Sequence, residues 1–259
     1  GVPLPLRVIV NQLGAPVEDL HLFRRWTEAA IRNLSGQLDR DGLLQAARET
    51  VEFQHYFVER IEERRKAPQD DILSKVVNAS LDDEQPLSHA EALSMLQQIL
   101  VAGNETTSSS FTEGILLLIE NPDQYELLKN DSSPQMISNL VEEVLRISSP
   151  SSNMFRRATE EVEWHGVTIP KDAILFARFA SANQDRDQFP EPEKFDLTRP
   201  NLKEQVAFGK GVHHCLGAAL SRREMNIGFK IILERMENFR LADGAPEPEF
   251  AANALLHGL

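Results

Sequence analysis

The 259-residue chain has little of what several classes of protein require. It contains one cysteine, Cys215, which excludes an internal disulfide framework and any metal site built from several cysteines. Positive charge is also scarce, since 27 Lys and Arg stand against 40 Asp and Glu, a net charge of −13. Binding to a phosphate backbone needs a basic face, so nucleic acid is not expected as a partner.

Long hydrophobic runs are missing as well. The densest apolar stretch, Ile115 to Ile119, is far shorter than the about 18 residues that a membrane-spanning helix needs. The chain begins at Gly1 and shows no basic-then-apolar signal segment. A single free cysteine suits a reducing compartment, so we expect a protein of the cytoplasm without a membrane span.

The first part of the chain, up to Pro150, has the periodicity of helices. Apolar residues recur at helical spacing, and Ser88 with Glu91 forms the capping-box pattern at the start of a long helix. Asn121-Pro122 is predicted to end that helix. The predicted helical segments lie at about Leu20–Ala30, Leu43–Lys66, Ile72–Val77, Ser88–Glu120 and Met136–Ile147.

After Pro150 the pattern changes to short strands. Val162–Trp164, Val167–Ile169 and Ala173–Phe179 are apolar runs separated by turn residues, which predicts a small meander. A helix from about Leu216 to Glu237 follows a proline-rich and a glycine-rich loop. We therefore expect a mainly α-helical α+β fold, with residues 1–259 in a single domain.

The most specific feature is the segment from Phe208 to Gly217, with the sequence FGKGVHHCLG. It places Cys215 at the end of a glycine loop and at the start of a helix, where amide groups and the helix dipole stabilise an anion such as a thiolate. Gly209 and Gly211 allow a tight turn around the sulfur. Gly217 leaves room for a flat cofactor close to the helix.

Several other interpretations of this segment are weaker. A lone cysteine is more often a small buried hydrophobe than a ligand. A zinc site needs about four ligands, and the neighbours His213, His214 and Cys215 cannot all converge on one ion. A cysteine hydrolase needs a distant base that nothing here selects, and the dinucleotide fingerprint fails because His214 stands where its third glycine belongs. The complete pattern Phe-Gly-x-Gly-x-His-x-Cys-x-Gly decides among these readings.

That pattern resembles the haem-binding loop of the cytochrome P450 family. The resemblance implies the P450 fold, haem b as the cofactor, and Cys215 as the axial thiolate ligand of the iron. It further implies that His213 hydrogen-bonds a haem propionate and that Phe208 packs beside the sulfur. Gly209, Gly211 and Gly217 belong to the same cofactor-binding loop in this reading.

A second matching stretch lies on the helix that ends near Ile147. Glu143 and Arg146 form the pattern Glu-x-x-Arg, whose two side chains share a helix face and form a charge-assisted pair. The resemblance implies that Arg199, in the proline-rich loop, joins them in a buried trio. We interpret the trio as structural, holding the haem-loop side of the protein together.

A third match lies in the long helix, in the run from Ala102 to Thr107. Glycine, asparagine and hydroxyl residues are poor formers of a helix interior, and such violations concentrate at functional sites, although a kinked surface helix is the plainer explanation. The resemblance implies a widened helical turn beside the haem, lined by Ala102 and Gly103. Glu105 and Thr106 would then be the catalytic acid–alcohol pair that delivers protons.

The resemblance also implies further contacts with cofactor and substrate. Arg156 would bind a haem propionate, with Arg157 as the substitute if the register slips by one. The implied pocket is mostly apolar with a few polar anchors. Its positions are Gln98, Val101, Ala102, Ser152, Asn153, Met154, Ala254 and Leu255.

The implied activity is that of a bacterial-type monooxygenase, which hydroxylates a small apolar substrate with O2. Its two electrons come from NAD(P)H through a ferredoxin- or flavodoxin-type donor. Lys210, Arg222, Arg223 and Lys230 form either a basic docking patch for that donor or ordinary solvated surface. The resemblance covers the whole chain but about three fifths of a P450 domain, so we expect a sequence that lacks the N-terminal part and a little of the C-terminus.

Two alternatives remain open. A peroxide-driven haem-thiolate enzyme or an isomerase is disfavoured because such enzymes tend to lose the acid–alcohol pair, whereas Glu105 and Thr106 are both present. The chain could instead be a non-catalytic or inactive fragment. Retention of haem through the thiolate would distinguish the enzyme from such a fragment.

Overall fold

The computed structural model describes residues 3–34, 36, 38–80 and 85–249. Helices dominate, with a few short strands, which confirms the mainly helical α+β class. The chain divides after Ser108 into two compact units. No described helix combines the length and the apolar content that crossing a membrane requires.

Within the described residues of the first unit, the regular elements are all helices, joined by loops. Its helices begin where the sequence provides a cap: Asp39 accepts a hydrogen bond from the Gly42 amide (2.8 Å), and Ser88 and Glu91 exchange hydrogen bonds as the capping-box pattern predicted. The helices are α1 (Pro3–Gln12), α2 (Leu20–Leu34), α3 (Arg40–Lys66), α4 (Ile72–Val77) and the first part of α5 (His89–Glu120).

An aromatic cluster joins α2 to α3. Phe23 and Trp26 on α2 meet Phe53 and Phe57 on α3 with ring centroids 5.6–5.9 Å apart, and these four residues are almost fully buried. Edge-to-face contacts of this kind add to the free energy of burying the rings. Val51, which also lies on α3, is instead exposed.

The second unit contains the rest of α5 and all the strands. Its core is formed where α5, α7 and α9 pack together, with Phe111, Val144 and Phe229 buried at the centre. Gly114 permits this approach, because a Cβ there would lie 2.5 Å from a ring carbon of Phe229. The further elements are α6 (Pro122–Asn130), α7 (Pro134–Ser148), β1 (Asn153–Arg157), β2 (Val162–Trp164), β3 (Val167–Ile169), β4 (Ile174–Arg178), α8 (Phe179–Ala182) and α9 (Ala218–Arg235).

The predicted meander is wrong in its strand order. Strand β2 pairs with β3, but β4 pairs with β1, so one hairpin is nested within another. The inner hairpin closes through His165 and Gly166, which both have positive φ, as a tight hairpin turn requires. The Ala158 amide donates to the Ala173 carbonyl oxygen and the Ala158 carbonyl oxygen accepts from the Asp172 amide, which extends the β1–β4 ladder. Strand β4 therefore lies beside β1 rather than beside β3.

Candidate functional site

The glycine loop before α9 presents Cys215 at the surface of the second unit. The Cys215 amide donates a hydrogen bond to the Phe208 carbonyl oxygen at 2.9 Å, which closes the loop on itself. Gly209 and Gly211 have φ of +69° and +76°, a region that residues with a side chain rarely adopt. The positive φ angles therefore explain why glycine occupies both positions, as the sequence pattern indicated.

The helix after the loop begins slightly later than predicted. Helix α9 spans Ala218–Arg235 rather than Leu216–Glu237, and Gly217 is its N-cap. Cys215 precedes the helix, and its carbonyl oxygen accepts a hydrogen bond from the Ala218 amide at 3.3 Å. The loop thus holds the sulfur just before the N-terminus of α9 rather than within the first turn of the helix.

The surroundings of the sulfur fit a large, flat and apolar group. Val212 and Leu216, on either side of Cys215, are 98% and 93% exposed, which is unusual for aliphatic side chains. A Cβ on Gly217 would meet only the Cys215 sulfur, at 3.8 Å, so a planar group has room there. Among the described residues, no three His, Cys, Asp or Glu side chains lie close enough together to hold a metal ion. A cysteine in apolar surroundings of this kind suits the iron of a porphyrin, which brings other ligands with it.

Phe208 lies at the base of this loop. Its ring is 6.4 Å from that of His214, and the guanidinium carbon of Arg222 lies 4.5 Å from its centre. His213 ends a single 3-10 turn and is exposed. Its contact with a haem propionate stays a prediction.

The structure brings Glu143, Arg146 and Arg199 together. The Glu143 carboxylate accepts two hydrogen bonds from Arg146, at 2.7 and 2.9 Å, and one from Arg199 at 3.1 Å. The side chains of Glu143 and Arg146 are fully buried. Both arginines also donate to backbone carbonyls of the proline-rich loop, including that of Lys194. Because every charge is paired, removing one partner would leave a buried ion uncompensated.

The acid–alcohol motif belongs to the first unit. Helix α5 runs through it without interruption, so the widened turn implied by the resemblance does not show as a break in the helix. The Thr106 hydroxyl donates to the Ala102 carbonyl oxygen at 2.9 Å, the back-bonding that makes threonine tolerable inside a helix. Burial raises the pKa of Glu105, and the Glu28 carboxylate raises it further.

Gly103 has a packing reason as well as the predicted role beside a cofactor. A Cβ at this position would lie 2.3 Å from the terminal methyl carbon of Ile9, on α1. The glycine therefore allows α1 to press against α5 inside the first unit. Ala102, one residue earlier, is exposed.

The two candidate arginines on β1 differ in their partners. Alternate residues of a strand face opposite sides, so Arg156 and Arg157 point away from each other. Arg157 forms an ion pair with Asp172 at 3.0 Å, and Arg156 donates a hydrogen bond to the carbonyl oxygen of its neighbour Phe155 at 2.9 Å. The contact of Arg156 with a haem propionate stays a prediction.

Sequence reasoning missed Glu142, the acid just before Glu143. Its buried carboxylate accepts hydrogen bonds from Arg222 at 2.6 and 3.1 Å and from the Gln205 amide at 2.9 Å. Arg222 is therefore half-buried and ion-paired, whereas Lys210 and Lys230, which pair with Glu204 and Glu234, are exposed like Arg223. The basic docking patch stays a prediction. No local pattern indicated this role, because the partners Gln205 and Arg222 lie 63 and 80 positions away in the sequence.

The predicted pocket positions are divided between the two units. Gln98, Val101 and Ala102 lie on α5 in the first, and Ser152, Asn153 and Met154 lie at the start of β1 in the second. Ala254 and Leu255 lie outside the described residues.

Comparison with known proteins gives a consistent result. The family model for cytochrome P450 matches residues 38–257. The polyketide biosynthesis cytochrome P450 PksS of Bacillus subtilis is 38% identical over 259 residues, covering 99% of this chain and 62% of that protein. Vitamin D(3) 25-hydroxylase of Pseudonocardia autotrophica is 34% identical, covering 99% of this chain and 61% of that protein.

Solved structures agree in fold. The PksS structure has a TM-score of 0.87 at 36% identity and covers 100% of this chain and 64% of its own. The structure of P450BioI with an acyl carrier protein bearing hexadec-9Z-enoic acid has a TM-score of 0.88 at 31% identity, covering 99% of this chain and 64% of its own. The chain thus spans about three fifths of the length of the relatives it matches.

Proposed function

The chain belongs to the cytochrome P450 family, and on that premise we propose that the protein is a haem-thiolate monooxygenase that hydroxylates a small apolar substrate. The observation that carries the proposal is the Cys215 loop. The cysteine is exposed, exposed aliphatic residues precede and follow it in the loop, and Gly217 beside the sulfur leaves room for a planar group. We also propose that residues 1–259 belong to a single P450 domain, which the match over residues 38–257 supports.

Haem b is the cofactor of this family, and when bound it supplies the chemistry that activates O2 for insertion into a C–H bond. The part of Cys215 is to hold the iron through its thiolate. The hydrogen bond from the Cys215 amide to Phe208 fixes the backbone that carries the sulfur. Arg156 and His213, both exposed, would pair with the propionates.

Glu105 and Thr106 would move protons to the site. Burial raises the pKa of Glu105, which brings this carboxyl closer to neutral pH, where a group can both take up and release a proton. The Thr106 hydroxyl, which donates to the Ala102 carbonyl oxygen, can accept a hydrogen bond from a neighbour in turn. This pair supports an O2-dependent enzyme over one that uses peroxide.

The substrate and the electron donor are proposed by chemical class. Relatives are named for polyketide biosynthesis, vitamin D(3) hydroxylation and steroid C26 monooxygenation, and these names support an apolar organic substrate. The electrons would come from NAD(P)H through a ferredoxin- or flavodoxin-type partner that meets Lys210, Arg223 and Lys230. A location in the cytoplasm stays a prediction from the single cysteine.

The test is a carbon monoxide difference spectrum of the reduced chain reconstituted with haem. We expect a strongly red-shifted Soret band, because a thiolate ligand donates electron density to the iron. The Cys215→Ser variant should lose that band. A chain that binds haem without the shift, or a variant that keeps it, would contradict the assignment of Cys215. A chain that retains no haem would favour the inactive fragment.

A further inference from the structure

Two adjacent acids on α7 hold two different parts of the second unit. Glu143 faces the proline-rich loop through Arg146 and Arg199. Glu142 instead faces the cysteine loop, and both ends of that loop converge on its carboxylate. Gln205 comes before Cys215 in the chain and Arg222 follows it on α9.

The contacts of Glu142 continue into the loop itself. The side-chain carbonyl of Gln205 accepts a hydrogen bond from the Ala207 amide at 2.6 Å, next to Phe208. Arg222 lies over the Phe208 ring, 4.5 Å from its centre, and the Phe208 carbonyl accepts the hydrogen bond of the Cys215 amide. Glu142 is therefore connected to the backbone of Cys215 by two routes that meet at Phe208.

The burial of these groups makes the connection rigid. The Glu142 side chain is 8% exposed, and Gln205 is buried beside it. Charge-assisted hydrogen bonds of an arginine fork to a shielded carboxylate are among the stronger ones in proteins. Arg223, the next residue, is exposed and serves as an internal comparison with the same charge.

We propose that Glu142 is a positioning residue for the cysteine ligand. Its carboxylate clamps Gln205 to Arg222 and thereby fixes where the loop between them holds the Cys215 sulfur. This proposal rests on the proposed function for the role of Cys215. The clamp itself is a property of the chain, and it can be measured without a cofactor.

The first experiment is hydrogen–deuterium exchange of the 259-residue chain and its Glu142→Gln variant. We expect the amides of residues 206–217, among them the Cys215 amide, to exchange about tenfold faster, because a neutral amide cannot replace the paired charge. Amides of α3, in the first unit, should be unchanged. Glu142→Asp, which keeps the carboxylate on a shorter side chain, should recover part of the protection.

Two controls make the result specific. Arg222→Gln should loosen the same loop, whereas Arg223→Gln removes the same charge one residue away and should leave exchange as in the parent. Equal loosening in Arg223→Gln, or exchange that rises uniformly through the second unit, would overturn the proposal. So would a loop that exchanges at the parent rate in Glu142→Gln.

The second experiment reads the position of the sulfur directly. At equal haem content, Glu142→Gln should show a red-shifted carbon monoxide band reduced at least about twofold, and a changed haem reduction potential. Glu142→Asp should recover part of both. An unchanged spectrum and potential would sink the positioning role even if the loop had loosened. If the parent chain itself gives no red-shifted band, the proposed function fails, and the exchange experiment still decides whether the clamp exists.

Discussion

At the scale of single residues, the buried acids differ in whether a positive charge lies beside them. Glu143 is fully buried but surrounded by arginines, so its charge is compensated. Glu224, on α9, is also buried, and burial alone raises its pKa to about 7. Desolvation favours the protonated form wherever a compensating charge is missing.

The raised pKa of Glu224 has a consequence for stability. A carboxyl that holds its proton more tightly when folded favours the folded state at low pH, and this contribution is lost as pH rises through about 7. Glu224→Gln should therefore raise the free energy of unfolding at pH 8 by roughly 1–3 kcal/mol and change it little near pH 4. Urea unfolding at both pH values checks this. A gain of the same size in Glu237→Gln, at an exposed acid after the same helix, would contradict it.

At the scale of elements, the sequence predicted most helix boundaries but not every element. Helices α3, α4, α5 and α7 lie within a few residues of their predicted ends, because caps and apolar periodicity are local signals. Helix α6 was missed because Pro122 was interpreted only as a stop, whereas proline also suits the first turn of a new helix. Strand β1 was missed because the run from Asn153 to Arg157 lacks apolar alternation, and its pairing with β4 is a tertiary effect.

A second prediction concerns the junction between α3 and α4. Asp71 caps α4 by accepting the Ser74 amide at 2.7 Å, and it also accepts Arg64 at 2.8 Å. Burial alone would raise the pKa of Asp71, but the hydrogen bonds from Arg64 and Ser74 outweigh it and hold the pKa below its usual value. Its contribution is therefore present at neutral pH and lost as pH falls through that lowered pKa.

Substitutions at Asp71 separate the cap from the ion pair. Asp71→Asn keeps a capping oxygen but removes the charge, and should cost about 3 kcal/mol because Arg64 is buried too. Asp71→Ala also removes the cap and should cost about 1 kcal/mol more. Fluorescence of the buried Trp26 in a Trp164→Phe background follows unfolding of the first unit. Equal losses in the two variants would mean that the cap contributes nothing.

At the scale of the whole molecule, the sequence predicted the motif residues of the candidate site but not the distant residues that hold them in place. The Cys215 loop and the Glu143–Arg146 pair follow motifs that lie in short stretches of sequence, whereas Arg199, 56 positions from Glu143, was assigned through the family resemblance. The pairing of Glu142 with Arg222 joins residues 80 positions apart, which no local pattern encodes. The nested strand order likewise depends on pairing between distant segments.

A single cysteine in the whole chain also gives a simple test of its exposure. Because Cys215 is exposed, the native chain should react with one equivalent of iodoacetamide without denaturant. Added haem should slow that reaction at least about tenfold if the sulfur becomes a ligand. Mass spectrometry of the intact chain measures both. Slow alkylation of the haem-free chain would show that the loop buries the sulfur.

The nested hairpins have a practical use in protein engineering. The turn at His165 and Gly166 closes only the inner pair, β2 and β3, while the outer ladder of β1 and β4 is secured by its own hydrogen bonds. The side chains around this turn are exposed, Trp164 at 63% and Val167 at 62%. A foreign epitope or a fluorescent reporter inserted there would lengthen a surface tip and spare the strand that carries Arg156.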